Sequence, residues 1–494
     1  MKTSLYQQAI FDFVANQSGS AIIEAVAGSG KTTTIVNALK LIPKDKSILM
    51  VAFNKSIAEE LKARVPNNVQ VKTFNGLGHS ILYSRLGRLN VDSYKTRNIL
   101  KKLMDSLDYK EYGELVYQLT GYIKRLGLLP KEIHGIPLIE DSKTEWMNII
   151  NHFGLPIEKG MLDTVIYYSK QAIISSVNMA ADDKVIDFDD QIYIPAIKNM
   201  RGNSYDVIFV DEAQDVSPVR TKLIQLVLND GGRVIAVGDT CQAIYGFTGS
   251  DTKAIQTLKE TFNAMSLPLS ISYRCAKSIV NEAKKVVPVI ECADTAPEGS
   301  VIKLDSFNLN MFNSGDMILC RKNAPIVSLC FKLISRGIPA KVMGRDISTG
   351  LVKLIEKLKA KDLKGSKGLK EKLLTWEAKE IRKWNAEERP DMVENVKDKV
   401  SCIFAVLERT TVNTVPDLIR EIESMFSDDS NNKKTVLLSS IHKSKGLEAD
   451  TVYFLDSEMI PLKFATKDWE IEQEYNLKYV AITRAKTKLV YISS

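Results

Sequence analysis

Between the apolar run Ala21-Ile22-Ile23 and the helical text Thr33-Thr34-Ile35-Val36-Asn37-Ala38-Leu39 lies Ala25-Val26-Ala27-Gly28-Ser29-Gly30-Lys31-Thr32. A glycine-rich loop that joins a strand to a helix start commits this part of the chain to an α/β layer. Gly28 and Gly30 let the backbone turn its N–H groups inward around phosphate, at the positive end of the helix dipole. Lys31 is then set to reach the β- and γ-phosphates, and the Thr32 hydroxyl to ligate magnesium. Ala27, Ser29 and Thr33 complete the expected phosphate-binding segment.

Far downstream, Tyr205-Asp206-Val207-Ile208-Phe209-Val210 reads as a buried parallel strand followed by Asp211-Glu212-Ala213-Gln214-Asp215. Its C-terminal carboxylates project where ligands bind in open α/β sheets. Asp211 is expected to hold magnesium, and Glu212 to polarise the water that attacks the γ-phosphorus.

A chain of 494 residues is too long for one core and suggests about three or four domains. Its formal net charge of +7 permits a polyanionic partner without requiring one. The six cysteines and four histidines show no ligand-like spacing, which excludes a disulfide framework, a zinc site and an iron–sulfur cluster. No apolar run of about 18 residues occurs and no signal-peptide core follows Met1, so a cytoplasmic or nucleoid-associated protein with no membrane partner is expected.

Strand-like text at Ala21-Ile23, Ser47-Phe53 and Val69-Thr73 alternates with helices, the pattern of a parallel sheet. Helical periodicity fills 85–181, and strands return at Tyr205-Val210 and Arg233-Val237. A second set follows at Met317-Cys320, Ala340-Met343, Thr435-Leu438, Thr451-Phe454 and Lys488-Tyr491. The expected division is a first α/β domain over 1–84 and 182–265 with a helical insertion at 85–181. A second α/β domain spans 266–350 and 431–494, with a small basic helical insertion at 351–430. From Lys353 to Lys372 that insertion carries eight lysines against three acids; a solvated helix face and a phosphate-contacting surface both fit.

The segment Asp211-Glu212-Ala213-Gln214-Asp215 resembles motif II of superfamily 1 helicases, and the rest of that family's motif set follows in order. Tyr6-Gln7-Gln8 resembles the glutamine motif that reads the adenine edge, with Gln7 in the better register. The text from Ile48 to Ala58 resembles motif Ia, and Lys72 to His79 motif Ib, which implies single-strand contacts by Asn54, Thr73, Phe74 and His79. Asp187-Phe188-Asp189-Asp190 matches a further short motif of the family. Gly238-Asp239-Thr240-Cys241-Gln242-Ala243-Ile244-Tyr245 is similar to motif III of the UvrD/Rep-type branch, and 3′ to 5′ polarity is thereby implied. The resemblance makes Gln242 the γ-phosphate sensor and Tyr245 and Phe247 base-stacking residues. The family usually has tryptophan-arginine where this chain has Phe247-Thr248, which implies weaker stacking and no arginine contact.

Ser272-Tyr273-Arg274 resembles motif IV, with Tyr273 stacking on adenine and Arg274 reaching the γ-phosphate. Ser440-Ile441-His442-Lys443-Ser444-Lys445-Gly446-Leu447-Glu448 resembles motif V, with His442 near nucleic acid and Glu448 near the ribose. Tyr479-Val480-Ala481-Ile482-Thr483-Arg484-Ala485 resembles motif VI, making Arg484 a second arginine finger. The resemblance covers nearly the whole chain and implies two RecA-like domains with parallel sheets, each carrying a helical insertion. It further implies ATP and Mg2+ as cofactors, with single-stranded DNA and single/double-strand junctions as partners. Single-strand-binding, replication and repair proteins are candidate partners as well. The expected activity is a 3′ to 5′ ATP-dependent DNA helicase in replication, repair or recombination. The alternative is a single-strand translocase that displaces bound proteins and scarcely unwinds duplex.

Overall fold

Strands that are apolar on both sides of the pleat must be covered on both faces, and this governs the first unit. The computed structural model describes residues 3–153, 155, 157, 160–244, 254–363, 365, 368–386, 390–407, 412–427, 434–463 and 465–493. The chain forms two units, Met1–Ser270 and Ile271–Ser494.

The first unit holds a six-stranded sheet in the order Met265–Leu269, Ala21–Ala25, Leu228–Gly238, Tyr205–Val210, Ile48–Ala52, Val69–Thr73. Every pairing is parallel. Ile48, Met50, Val207 and Phe209 pack on one face with Ile10, Phe13 and Ile35, from the helices Leu5–Asn16 and Lys31–Leu39. Their neighbours Leu49, Val51, Ile208 and Val210 join the opposite cluster, which contains Leu119, Trp146 and Ile173 of the helical segment. The two-residue period of the strands thus sorts their side chains between two cores.

The strand Met265–Leu269 was not expected, and the division proposed at 265/266 falls at its start. Pro268 has no N–H for a ladder and reads against a strand, yet an edge position tolerates it.

Between Val69–Thr73 and Tyr205–Val210 the chain makes a helical excursion containing Lys95–Leu103, Ser106–Leu126, Lys143–His152 and Leu162–Asp182. A parallel pair, Asn90–Val91 with Val185–Ile186, brings its two ends together. Under this excursion lies a solvent-free charge cluster. Lys95 Nζ donates to Asp190 Oδ2 at 2.6 Å and to the Ser176 carbonyl at 2.7 Å. Lys124 Nζ donates to Asp190 Oδ1 at 2.8 Å and to Asp187 Oδ2 at 3.0 Å. Thr96 and Ser176 supply hydroxyl donors to the two carboxylates. Burial opposes the charge on Lys124, but Asp187 and Asp190 outweigh it and hold its pKa above the usual lysine value.

Asp190 opens the helix Asp190–Ile197, which crosses the helix Phe74–Leu86 at very short range: a Cβ on Gly78 would lie 1.9 Å from the Gln191 carbonyl oxygen. The cluster therefore ties the excursion to the element beside the sheet edge.

In the second unit a seven-stranded sheet runs Ser300–Leu304, Ala485–Ile492, Ala449–Leu455, Met317–Cys320, Val436–Ser440, Ala340–Met343, Phe426–Ser427. All six pairings are parallel. The helices Arg345–Lys357, Leu369–Ala386, Pro390–Leu407 and Val415–Met425 share one core with this sheet, where Leu373, Val400, Ile403 and Ile422 meet Ile318, Val342 and Leu438. The sheet draws its edge strand Phe426–Ser427 from the segment expected to be helical. Within the basic stretch, Lys372 Nζ donates to the carbonyls of Leu358 and Lys359 at 3.0 and 2.9 Å. That lysine caps the end of Arg345–Lys357, as a cation near a helix C-terminus does.

Removing one member of a buried charge network strands its partners, at a cost of about 3–5 kcal/mol, whereas an exposed pair contributes at most about 1 kcal/mol. Lys124→Met is expected to lower the unfolding free energy followed by a probe in the first unit by that larger amount. Glu114→Ala, which breaks the exposed Arg97–Glu114 pair of 2.8 Å, is expected to change it little. Equal effects of the two variants in urea titrations would contradict the reading of the cluster as the anchor of the excursion.

Candidate nucleotide and nucleic-acid sites

The loop after Ala21–Ala25 turns through two left-handed glycines, Gly28 at φ 73° and Gly30 at φ 78°, and Gly30 caps the helix Lys31–Leu39. A side chain at Gly30 would be strained by the backbone alone. Thr34 Oγ1 donates to the Gly30 carbonyl at 3.0 Å and accepts from Gln7 Nε2 at 3.1 Å. Gln7 is therefore the glutamine held against the loop's helix, while Gln8 bonds Asp12 in the exposed turn. On the other flank, Arg64 donates to Thr33 Oγ1 at 3.3 Å.

Across the carboxyl edge of the same sheet, Asp211 is buried and Glu212 adopts a left-handed conformation at φ 51°, rare for a residue with a side chain. Gln214 donates its amide to the Glu212 carboxylate and accepts from the Asp239 N–H at 3.0 Å. Gln242, also buried, donates to Asp239. A Cβ on Gly238 would meet Gln214 Oε1 at 2.6 Å, so glycine is what allows the two segments to approach this closely. Gln214 and Asp239 stand inside the motifs without an expected role of their own; their signal is the spacing to Glu212 and Gln242.

Burial and then the neighbouring Glu212 charge push the Asp211 carboxyl up to about 7, against the pull of Lys31. Burial likewise raises Asp239, and Lys31 again opposes it. Such a group of acids is short of positive charge. Magnesium is commonly bound through one or two carboxylates plus substrate phosphates instead of an all-protein cage. The Thr32 hydroxyl at the loop and the buried Asp211 carboxyl, which gives up its proton where a cation takes that proton's place, fit that mode.

The candidate strand-binding residues lie at neighbouring strand ends. Asn54 caps Lys55–Lys62, accepting from the Ile57 N–H at 2.9 Å, and Thr73 caps Phe74–Leu86, accepting from the Gly76 N–H at 3.0 Å. His79 Nδ1 lies 3.4 Å from Gln191 Nε2, and Asn75 Nδ2 donates to the Phe188 carbonyl at 2.7 Å.

Phe74 corrects the expectation. Its ring is 1% exposed, packed in the core under the Arg220 guanidinium, and has no face to offer a base. The exposed ring of this neighbourhood is Phe188, at 57%. Tyr245 and Phe247 lie outside the described residues.

In the second unit, motifs IV, V and VI converge. Arg274 Nε pairs with Glu448 Oε2 at 2.7 Å, and Lys486 Nζ with Glu448 Oε1 at 2.7 Å. Burial works to raise the Glu448 pKa, but Lys486 and Arg274 outweigh it and hold the carboxyl below its usual range. Tyr273, next in chain to Arg274, is partly exposed. Arg484 is buried, its guanidinium donating to the carbonyls of Val480 at 3.0 Å and Leu447 at 3.1 Å. His442 follows the strand Val436–Ser440, and burial, then Arg321, push its pKa down to about 3, so the imidazole is neutral. Lys486 was not singled out from sequence.

Residues 7–263 match the UvrD/REP helicase N-terminal domain and residues 435–492 the UvrD-like helicase C-terminal domain. The chain belongs to the UvrD/REP helicase family. It is 26% identical over 538 residues to F-box DNA helicase 1 of Gallus gallus, covering 100% of this chain and 49% of that protein. F-box DNA helicase protein 1 of Schizosaccharomyces pombe is 24% identical over 519 residues, covering 98% of this chain and 56% of that protein. ATP-dependent DNA helicase PcrA of Staphylococcus epidermidis is 25% identical over 304 residues, covering 56% and 38%. The chain thus spans about half, or less, of the length of these relatives. Among the described residues no helix is long and apolar enough to cross a membrane.

The raised Asp211 pKa has a stability consequence. With a folded value of about 7 above the ordinary 3.8, the folded chain favours the proton, so its ionisation penalty is absent below about pH 4 and complete above about pH 7. Asp211→Asn removes that penalty. The nucleotide-free variant is expected to melt above wild type at pH 8, with the gain vanishing near pH 4; a pH-independent difference in thermal melts would overturn the electrostatic account.

Proposed function

We propose that this chain hydrolyses ATP to move 3′ to 5′ along single-stranded DNA and to open duplex at single/double-strand junctions, in replication, repair or recombination. One observation carries the reading. Three adjacent strand ends, after Ala21–Ala25, Leu228–Gly238 and Tyr205–Val210, bring the phosphate loop, Asp239 with Gln242, and Asp211 with Glu212 to one sheet edge.

In this reading Gln7 and Tyr273 hold adenine, Glu448 the ribose, and the backbone of 27–33 the phosphates, with Lys31 on the β- and γ-phosphates. Thr32 and Asp211 would hold magnesium, which would supply neutralising charge to the phosphates. Glu212 orients the attacking water and accepts its proton, with Gln214 as the donor that fixes its carboxylate. Gln242 senses the γ-phosphate. Arg274 and Arg484 supply planar, permanent charge to the equatorial oxygens during transfer. For Arg484 this requires release from the Val480 and Leu447 carbonyls.

Asn54 and Thr73 present two capped helix N-termini at neighbouring strand ends, suited to backbone phosphates. His79, Tyr245, Phe247 and His442 extend the strand contact. Phe188 takes the stacking role that buried Phe74 cannot. The UvrD/Rep-type text of motif III supports the polarity, and similarity along nearly the whole of this chain to about half of each of two proteins named DNA helicases supports the activity.

Lys31→Ala and Glu212→Gln are each expected to abolish DNA-stimulated ATP hydrolysis, Glu212→Gln while still binding ATP. Normal turnover in either would sink the assignment. Duplexes with only a 3′ or only a 5′ tail read the direction, and unwinding confined to 5′ tails overturns the polarity. Loss of a bound protein from a strand whose duplex stays intact would favour the protein-displacing alternative.

Phe188→Ala is expected to weaken single-strand binding by about 1–3 kcal/mol, the scale of one stacked base, with ATP affinity unchanged. Unaltered strand affinity in a fluorescence titration would remove Phe188 from the interface.

A further inference from the structure

The Glu448 carboxylate faces two cations at equal range, Arg274 at 2.7 Å and Lys486 at 2.7 Å, one on each oxygen. Arg274 is also tethered by a long contact of 3.4 Å to the Thr483 carbonyl. In this arrangement the arginine assigned to the γ-phosphate is engaged by an acid of its own unit. For it to act on nucleotide, that ion pair has to open. Opening would leave a partly exposed carboxylate without a counter-ion, were Lys486 absent.

We propose that Lys486 is a positioning residue that keeps Glu448 neutralised when Arg274 leaves, so that Glu448 parks the arginine before nucleotide binds and Lys486 permits its release. The inference rests on the reading of Arg274 as the γ-phosphate contact and adds the device that governs its availability. Three features support it. The two cations bind different oxygens, so one pair survives loss of the other. Lys486 is the second residue of the strand Ala485–Ile492, two positions after Arg484, and its backbone carbonyl accepts from the Ala276 N–H at 2.7 Å, which fixes it beside the segment bearing Arg274. The Glu448 side chain is 38% exposed, enough for exchange of partners.

A double-mutant cycle on ATP hydrolysis tests this. Lys486→Ala is expected to lower kcat/KM roughly fivefold, the scale of one partly exposed ion pair. The same substitution in a Glu448→Gln background, where no carboxylate is left to strand, is expected to change nothing. Lys486→Arg should restore the wild-type value. A merely structural lysine would give the same loss in both backgrounds, and additivity overturns the inference. Lys486→Gln, which keeps the aliphatic stem, serves if the alanine variant folds poorly. Arg274→Ala separates the two levels: activity retained there refutes the γ-phosphate assignment itself, whereas activity abolished there with Lys486→Ala neutral refutes only the parking device.

Discussion

A parallel sheet covered on both faces has one place left for chemistry, the edge where its strands end and the chain turns into helices. In the first unit that edge carries the loop of Lys31, Asn54, Thr73, the pair Asp211 and Glu212, and Asp239 with Gln242, each within a few residues of a strand's last residue. The second unit follows the rule less completely. Arg321 and the run 441–448 follow strands, but Arg484 precedes the strand Ala485–Ile492 and Arg274 follows a two-residue strand outside the main sheet. The groups proposed to grip nucleotide are thus built on backbone that both cores of a sheet hold still, and the arginines on turns.

Buried charge is resolved in opposite ways within the first unit. Lys95 and Lys124 meet Asp187 and Asp190 in near-balanced pairs, with hydroxyls filling the remaining acceptor sites, and the result is a rigid tie. At the sheet edge, Asp211, Glu212 and Asp239 outnumber Lys31, and burial pushes Asp211 toward protonation. The first arrangement stabilises the fold. The second holds a shortage of positive charge that a bound cation would relieve, the kind of local instability that functional sites keep.

Much of this was legible in sequence because local pattern and chemistry coincide there. Apolar runs ending in glycine or in paired acids define strand and site in the same few residues, so the loop at 25–32 and Asp211-Glu212 could be read directly. What escaped depended on contacts far apart in the chain. Nothing local marks Lys95 and Lys124 as partners of Asp190, separated from it by 95 and 66 residues. Exposure escaped too: Phe74 and Phe188 are both aromatic residues within motifs, and only packing reveals that the first is core and the second surface. Pro268 misled by its chemistry, since the rule against proline in strands relaxes at an edge.

The tie and the edge are connected, which gives the helical excursion more than a space-filling role. Asp187 and Asp190 bracket Phe188, whose carbonyl accepts from Asn75, and Gln191 touches both Asn75 and His79. The same four buried charges that anchor Lys95–Leu103 and Ser106–Leu126 therefore set the backbone on which the exposed ring and the polar residues of the sheet edge sit. Gly78 allows this closeness, because any side chain there would collide with the Gln191 carbonyl. A shift of the excursion would move Phe188 and His79 with it, and because the excursion shares a core with Leu49, Val51, Ile208 and Val210, the sheet edge that carries Asp211 and Glu212 is packed against the same insertion.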